Sequence, residues 1–381
     1  ADQKLLPLVG LDLTTGQVRK KIDATPTFDV THHHRCYGNR ATDRFLLVGR
    51  RGVEFIDFAS GENRLHHWVR GKCRFGVLPA NGLLYSLPHN CSCYPFSTIK
   101  GYTALAAGEP AASTDESARL EKGPAYGQVE PAPAATAPWP MLRHDGRRGG
   151  AAPFRVAHAN LKIRWSASVG GRPTAATAAN GRVLIATPES HQVHALAADD
   201  GAHLWSFTAG GKVDSPPALH GGRVLFGSAD GHAYCLRASD GALVWRFRAA
   251  PQDRRMVAYG QLASKWPLHG ALLVRDGVVY CSAGRSSLLD GGIALYGLDA
   301  ETGAIVAENV LHDPYAEAEA AMLRNDGRGY AGEIAVLQDI LVADETHLCL
   351  RQLKLDDRLK VTGHSDQLIS GNGLLHPAWF S

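Results

Sequence analysis

The chain has 381 residues, 45% of them apolar, with a formal net charge of +3. That is ample material for a core, but there is no basic block to attract nucleic acid or an anionic membrane. No run approaches the roughly 18 apolar residues of a membrane helix. Seven cysteines form an odd set without a framework spacing, so at least one lies outside any intrachain disulfide.

Taken in order, residues 8–22 contain Gly10-Leu-Asp-Leu-Thr-Thr-Gly16 followed by a polar strand ending at Ile22. Residues 23–42 are a polar connection carrying His32, His33, His34 and Cys36. A hairpin is predicted from Arg44–Val48 and Val53–Phe58, closed by Ser60-Gly61 and Trp68. The next unit runs from Cys73 through Gly82-Leu-Leu-Tyr85, with an enlarged tip holding Cys91 and Cys93, and returns at residues 101–105. Residues 106–138, rich in Ala, Pro, Glu and Ser, read as a flexible insertion or linker.

The organising stretch is 182–247, where one pattern occurs twice. Arg182-Val-Leu-Ile-Ala, Val193-His-Ala-Leu, Asp199-Asp-Gly and Leu204-Trp-Ser-Phe are followed by Arg223-Val-Leu-Phe-Gly, Ala233-Tyr-Cys-Leu, Ser239-Asp-Gly and Val244-Trp-Arg-Phe. Trp205 and Trp245 stand about 40 residues apart, the period of a propeller blade or solenoid unit. Two β-branched or aromatic runs predict a hairpin, and Asp-Gly turns the chain into a last strand. That strand carries an indole able to fill the gap between neighbouring sheets. A third unit is predicted at 248–310, with an insertion at 251–266 and an enlarged tip at 284–292. Residues 313–326 suit a short helix, and strands are expected at 334–337, 340–343 and 346–355.

The repeat Asp-x-x-Thr/Ser-Gly-x-x-x-Trp, seen with variations at 199–205, 239–245 and 57–68, resembles the pyrroloquinoline-quinone (PQQ) type of propeller repeat. That repeat is shared by quinoprotein dehydrogenases and by the non-enzymatic outer-membrane-assembly scaffold lipoprotein BamB. The segments 33–37, 50–57, 81–85, 139–145, 210–217 and 227–231 further resemble a group of large bacterial, planctomycete-type proteins with quinone-binding-like repeats. The resemblance implies an all-β, quinoprotein-type β-propeller of four-stranded blades. The family is eight-bladed, and this chain is expected to cover six or seven blades as a fragment. It is divided as 1–105 (first blades), 106–138 (insertion) and 139–381 (remaining blades). The resemblance also implies a periplasmic or cell-envelope location, although Ala1-Asp-Gln-Lys lacks the apolar core of a signal peptide.

Three sets of residues are candidates for chemistry. His33, His34, Cys36, Cys91 and Cys93, with His32 and Cys73 beside them, come from successive strand ends and loops, where imidazole and thiolate suit zinc or copper(I). The competing reading is a solvated His run and small buried thiols. Arg143, His144 and Asp145 place a His beside an acid, and Arg254 and Arg255, with Lys265, Trp266 and His269, could meet an anionic or aromatic ligand. Cys235, Cys281 and Cys349 sit in apolar strands and read as core. PQQ is implied by family alone. In the dehydrogenases it lies with calcium, a tryptophan floor and a vicinal disulfide, whereas here Ser92 separates Cys91 from Cys93. The expected role is a non-catalytic, monomeric binding or scaffolding module in the bacterial envelope. It would meet a protein or small molecule on the loop face, without nucleic acid or a transmembrane segment. The alternative is a quinone- or metal-dependent oxidoreductase on that same face.

Overall fold

An Asp carboxylate that caps its own turn, followed by a glycine in the left-handed region, recurs along the chain and sets its strand order. Asp12 Oδ1 accepts the amides of Thr14 and Thr15, Asp57 Oδ1 those of Ala59 and Ser60, and Asp299 Oδ1 those of Glu301 and Thr302. Gly16, Gly61 and Gly303 then donate to the carbonyl of the same Asp at 2.8–2.9 Å, with φ of 70°, 78° and 72°. The amide of Ser60 and the Arg44 guanidinium hold the Asp57 carboxyl down to about 2.

The computed structural model describes residues 6–28, 38–49, 52–66, 69–88, 102–107, 119–132, 138–155, 159–258, 260–269, 271–287, 289–312, 336–351 and 353–364. The chain divides into two units, Ala1–Glu109 with Asp313–Ala335, and Pro110–His312 with Val336–Ser381. In the first unit, β1 (Pro7–Leu11) pairs with β2 (Val18–Asp23), and a single helical turn, α1 (Thr25–Phe28), follows. A four-stranded antiparallel meander comes next, β3 (Arg40–Ala41), β4 (Phe45–Val48), β5 (Val53–Asp57) and β6 (Asn63–His66), where the sequence predicts a hairpin. Ile22, Ala24, Val48 and Ile56 form its core. Strands β7 (Val77–Ala80), β8 (Leu83–Ser86) and β9 (Thr103–Ala106) make a three-stranded sheet.

The second unit begins with β10 (Leu120–Lys122) and holds four meanders. The first is β11 (Thr177–Ala179), β12 (Arg182–Thr187), β13 (Gln192–Ala197) and β14 (His203–Thr208). The second is β15 (Ala218–His220), β16 (Arg223–Gly227), β17 (His232–Arg237) and β18 (Leu243–Arg248). A separate hairpin, β19 (Arg255–Ala258) and β20 (Gln261–Ser264), precedes the third meander. That meander is β21 (Leu273–Arg275), β22 (Val278–Ala283), β23 (Ile293–Asp299) and β24 (Ile305–Leu311). The fourth is β25 (Val342–Ala343), β26 (Leu348–Leu350), β27 (Leu353–Leu355) and β28 (Val361–His364). In each of the four, the last pairing shifts register one position after the third strand's midpoint, at Ala195/Leu196, Cys235/Leu236, Gly297/Leu298 and Lys354/Leu355.

These sheets are apolar on both faces, so alternate residues enter two different cores. From the second meander, Val224, Phe226, Tyr234 and Leu236 pack toward Leu184, Val193 and Trp205. Its Leu225, Ala233, Cys235 and Trp245 pack toward Val279, Cys281 and Tyr296 of the third. Leu273, Tyr280 and Leu295 of the third meet Leu348, Leu350 and Leu355 of the fourth. Serial face-to-face packing of four-stranded meanders is the blade arrangement of a β-propeller, the all-β class the repeat predicts.

The join between sheets is made by tryptophan. Trp205 Nε1 donates to Ala238 O at 3.0 Å, and its ring lies where a Cβ on Gly241 would stand 2.6 Å from it. Trp245 Nε1 donates to Ala300 O at 3.2 Å against Gly303, and Trp165 Nε1 to Ala198 O at 3.0 Å against Gly201. Trp165 keeps this contact although residues 159–176 carry no strand.

The fourth join is built differently. Ala307 takes the place of the Trp, and the facing turn carries Leu359 at φ 63° instead of glycine. Leu359 is fully buried in the core that Ala307 packs against, and Asn309 Nδ2 donates to Leu359 O at 2.7 Å. The volume missing from one side is supplied from the other.

The predicted linker at 106–138 is not wholly a linker. Residues 120–122 add a fifth strand to the second meander, pairing Leu120 with Phe247 and Lys122 with Trp245. Ala125 is buried, with Tyr126 and Val129 packed beside it. Leu-Glu-Lys has no apolar alternation, and its strand state comes from the open edge of β18. The predicted helix at 313–326 lies outside the described residues.

Removing the buried Trp205 (Trp205→Ala) is expected to lower unfolding free energy by about 3–5 kcal/mol, and Trp165→Ala, at a half-buried position, by clearly less. Urea melts followed by circular dichroism check this, and equal losses refute the docking account. At the fourth join, Ala307→Trp and Leu359→Gly should each destabilise. Their combination should recover roughly 0.5–3 kcal/mol of the summed loss in a double-mutant cycle; strict additivity overturns the reciprocal-filling assignment.

Candidate functional site

One end of the second unit gathers its polar connections. Residues 188–191, 228–231 and 284–292 link second to third strands there, and 209–217 and 249–272 lead into the next sheet. His269 Nδ1 and Asp214 Oδ2 are 2.6 Å apart, each side chain about one-fifth exposed. Ser215 Oγ donates to Asp214 Oδ1 at 3.3 Å. The hydroxyl therefore bonds the acid and not the imidazole, so these three do not form a Ser–His–Asp relay.

The buried Asp230 accepts the Tyr234 hydroxyl at 2.5 Å and the His232 amide at 3.0 Å. Burial pushes the Asp230 carboxyl up, but the bonds and charge from His232 and the Tyr234 hydroxyl outweigh it and leave it below the ordinary range. Burial first, then the Asp230 charge, pushes the Tyr234 phenol up, so it remains a donor, stacked 5.1 Å from Phe226. Asp290 is held by Lys265 at 3.1 Å and by Arg285, and its carbonyl takes the Trp266 indole N–H at 2.9 Å. Gln338 Nε2 donates to Pro267 O and Ser282 O, and Asp339 faces Arg351 at 3.5 Å.

The enlarged tip at 284–292 and the run 265–269 are thus locked to each other by Lys265 and Trp266, while His269 ties that run to Asp214 of the 209–217 connection. Arg254 and Arg255 stand exposed at the start of the β19–β20 hairpin, where Arg255 lies 3.4 Å from Asp253. Val257 and Leu262, paired across that hairpin, are each 57% exposed.

Arg143, His144 and Asp145 belong to a segment that bonds to the first strands of the first, second and fourth meanders. Trp139 exchanges backbone hydrogen bonds with Ala178, Leu219 donates to Pro140 O, and Ala343 donates to Gly146 O. Arg148, 4% exposed, reaches Leu341 O, Leu142 O, Ala271 O and Leu272 O. Burial brings its guanidinium down to about 10, offset in part by Asp145, so it stays cationic at neutral pH. His144 packs edge-on to Trp139, its Nδ1 3.7 Å from Asp145 Oδ2, beyond hydrogen-bond reach. Asp145 Oδ1 accepts the Gly149 amide. Together these residues form a clasp between sheets.

His33, His34, Cys36, Cys91 and Cys93, with His32, lie outside the described residues, and Cys73 is half-buried beside the Lys72–Gly76 bridge. Among the described residues, no three His, Cys, Asp or Glu side chains could hold a metal ion. Cys235 and Cys281 are buried in their strands, where burial raises the Cys235 thiol and pushes Cys281 up to about 12. The Asp214–His269 pair escaped the sequence reading because 55 residues separate its members.

A serially packed, tryptophan-joined repeat with polar connections at one end defines a propeller repeat protein. Residues 154–325 match the PQQ-type family model described as outer membrane protein assembly factor BamB, so this stretch is a PQQ-like repeat region. None of the curated proteins matches the chain. Similar solved structures include quinohemoprotein alcohol dehydrogenase from Pseudomonas putida, at 18% identity over 46% of this chain and 26% of that one, with TM-score 0.38. The Comamonas testosteroni enzyme is similar at 19% identity over 46% and 28%, with TM-score 0.36. BamB from Moraxella catarrhalis is similar at 15% identity over 87% and 88%, with TM-score 0.28. The chain spans only 26–32% of the length of the first dehydrogenases it resembles.

PQQ requires free polar partners and a flat aromatic floor. Here Asp214, Asp230, Asp290 and Asp339 are each engaged by neighbouring side chains. Trp165, Trp205 and Trp245 are committed between sheets, Trp266 to Asp290, and Trp139 to His144. The described residues do not fit the cofactor.

Maleimide labelling of native protein at pH 8, mapped by mass spectrometry, should leave Cys235 and Cys281 unmodified, because almost no thiolate exists so far below their raised pKa values. Rapid labelling of either would refute their assignment to the core.

Proposed function

We propose that this chain is a non-catalytic propeller repeat module that binds a protein or small-molecule ligand through the loop end of its sheets, in the bacterial cell envelope. One observation carries the reading: Asp214, Asp230, Asp290 and Asp339 at that end are each engaged by neighbouring side chains, and each of the five described tryptophans named above packs within the fold. A catalytic set needs groups left poised for substrate. Here the polar chemistry stiffens the loops, as suits a presentation surface on a rigid scaffold. The BamB-type family model over residues 154–325 supports the envelope setting, and among the described residues no helix is long and apolar enough to cross a membrane. The exposed edge of the β19–β20 hairpin, with Arg254, Arg255, Val257 and Leu262, supplies the mixed cationic and apolar character of a docking rim.

Metal analysis of the purified protein, then titration with PQQ plus calcium followed by absorbance, tests the proposal. Substoichiometric metal and an unshifted quinone spectrum are expected. Stoichiometric metal, or a saturable bound-quinone spectrum, would replace the scaffold reading with the oxidoreductase one.

A further inference from the structure

At the opposite end of the second unit from the polar connections, a cleft of about 420 Å³ opens between the first and second meanders. Val129 and Glu130 of the arm that follows β10 line it, with Leu219 and His220, and so do Arg182 and Ser239. This is a size that accepts a small organic molecule.

The internal repeat shows what the cleft lacks. Arg182 and Arg223 open the second strands of successive meanders in the same sequence, Arg-Val-Leu. Each folds one guanidinium nitrogen back onto the preceding turn, Arg182 Nη1 to Asn180 O at 3.1 Å and Arg223 Nη1 to Gly221 O at 3.0 Å. The turns opposite are also equivalent: Ala238-Ser-Asp-Gly241 takes the Trp205 indole at Ala238 O, and Ala300-Glu-Thr-Gly303 takes the Trp245 indole at Ala300 O. That register aligns Ser239 with Glu301. Arg223 meets Glu301 across its junction at 3.5 Å. The corresponding place opposite Arg182 holds the short, uncharged Ser239, and among the described residues Arg182 makes no ion pair. The Nε atoms of both arginines are shut off from solvent without a hydrogen-bond partner, so the Glu301 carboxylate is what distinguishes the two junctions.

Arg182 is half-buried, and a carboxylate is the group that matches a guanidinium without an ionic partner. The other cation lining the cleft, Arg237, is already engaged by Asp240 at 2.6 Å. Glu130 is exposed, with its backbone carbonyl against Gly222, so its carboxylate stays in water. His220 is half-buried, and its imidazole is disfavoured as a cation by burial first and then by Arg223. It is a neutral hydrogen-bonding edge beside the apolar Leu219 and Val129.

We infer that this cleft binds a small organic carboxylate with an apolar body, its carboxylate pairing with Arg182 in the place that Glu301 fills for Arg223. The site is separate from the loop-end surface and stands or falls independently of it.

Calorimetry on the full chain with benzoate, using benzamide as the uncharged control, tests the assignment. Saturable one-to-one binding of benzoate and none of benzamide is expected. Arg182→Gln should weaken benzoate at least about tenfold through loss of the charge-assisted pair. Ser239→Glu, which installs the missing carboxylate from the chain itself, should weaken it comparably while raising the melting temperature. Arg223→Gln should leave benzoate binding unchanged. Absence of saturable binding, equal binding of benzamide, or benzoate affinity indifferent to both Arg182→Gln and Ser239→Glu overturns the site. Ser239→Glu lies on an exposed turn and keeps the test decisive should Arg182→Gln fail to fold.

Discussion

An indole laid on a turn that has no side chain is the contact on which the second unit depends. The glycine serves two demands at once. Its positive φ lets the turn close, and its missing Cβ lets the ring approach within contact of the backbone. The indole N–H then satisfies a carbonyl that packing has taken out of water, so the largest side chain in the strand leaves no polar atom stranded. Because the same contact recurs from sheet to sheet, stability here is a sum of nearest-neighbour terms.

Two further devices hold the sheets in place. The segment from Trp139 to Gly146 bonds to the first strands of the first, second and fourth meanders, and Arg148 gathers carbonyls from just before those of the third and fourth. The short strand β10 closes the outer edge of β18, with the Arg119 guanidinium 5.0 Å from the Phe247 ring and 4.8 Å from that of Tyr296. An edge strand left open is a template for unwanted pairing, and here the chain covers one of its own. Both devices are made from segments that have no repeat character.

Much of the fold was legible in the sequence, and the reasons are physical. Trp205, Trp245 and the Asp-Gly turns mark the period because their roles admit few substitutes. The unbroken apolar runs that follow Arg182 and Arg223 announce strands buried on both faces. The arm at 120–132 was not legible, since its strand state is imposed by the partner edge and its Ala/Pro surroundings mimic a linker. Nor was the fourth join, where Ala307 and Leu359 erase the indole–glycine signature while preserving the volume it fills. At the site, Arg143, His144 and Asp145 drew attention as a motif, yet Asp145 and the neighbouring Arg148 serve the clasp. The Asp214–His269 and Asp230–Tyr234 pairs depend on folding for their proximity or their burial, which composition cannot encode.

The reciprocal exchange at the fourth join has a consequence for how such a protein can evolve. Where every junction uses the same key, copies of a repeat can be duplicated, deleted or shuffled by recombination, and each newcomer still fits its neighbours. A junction that has moved its bulk from one side to the other accepts only its own mate. The third and fourth meanders have become a matched pair, inherited together, and the array has a fixed reading order at that point.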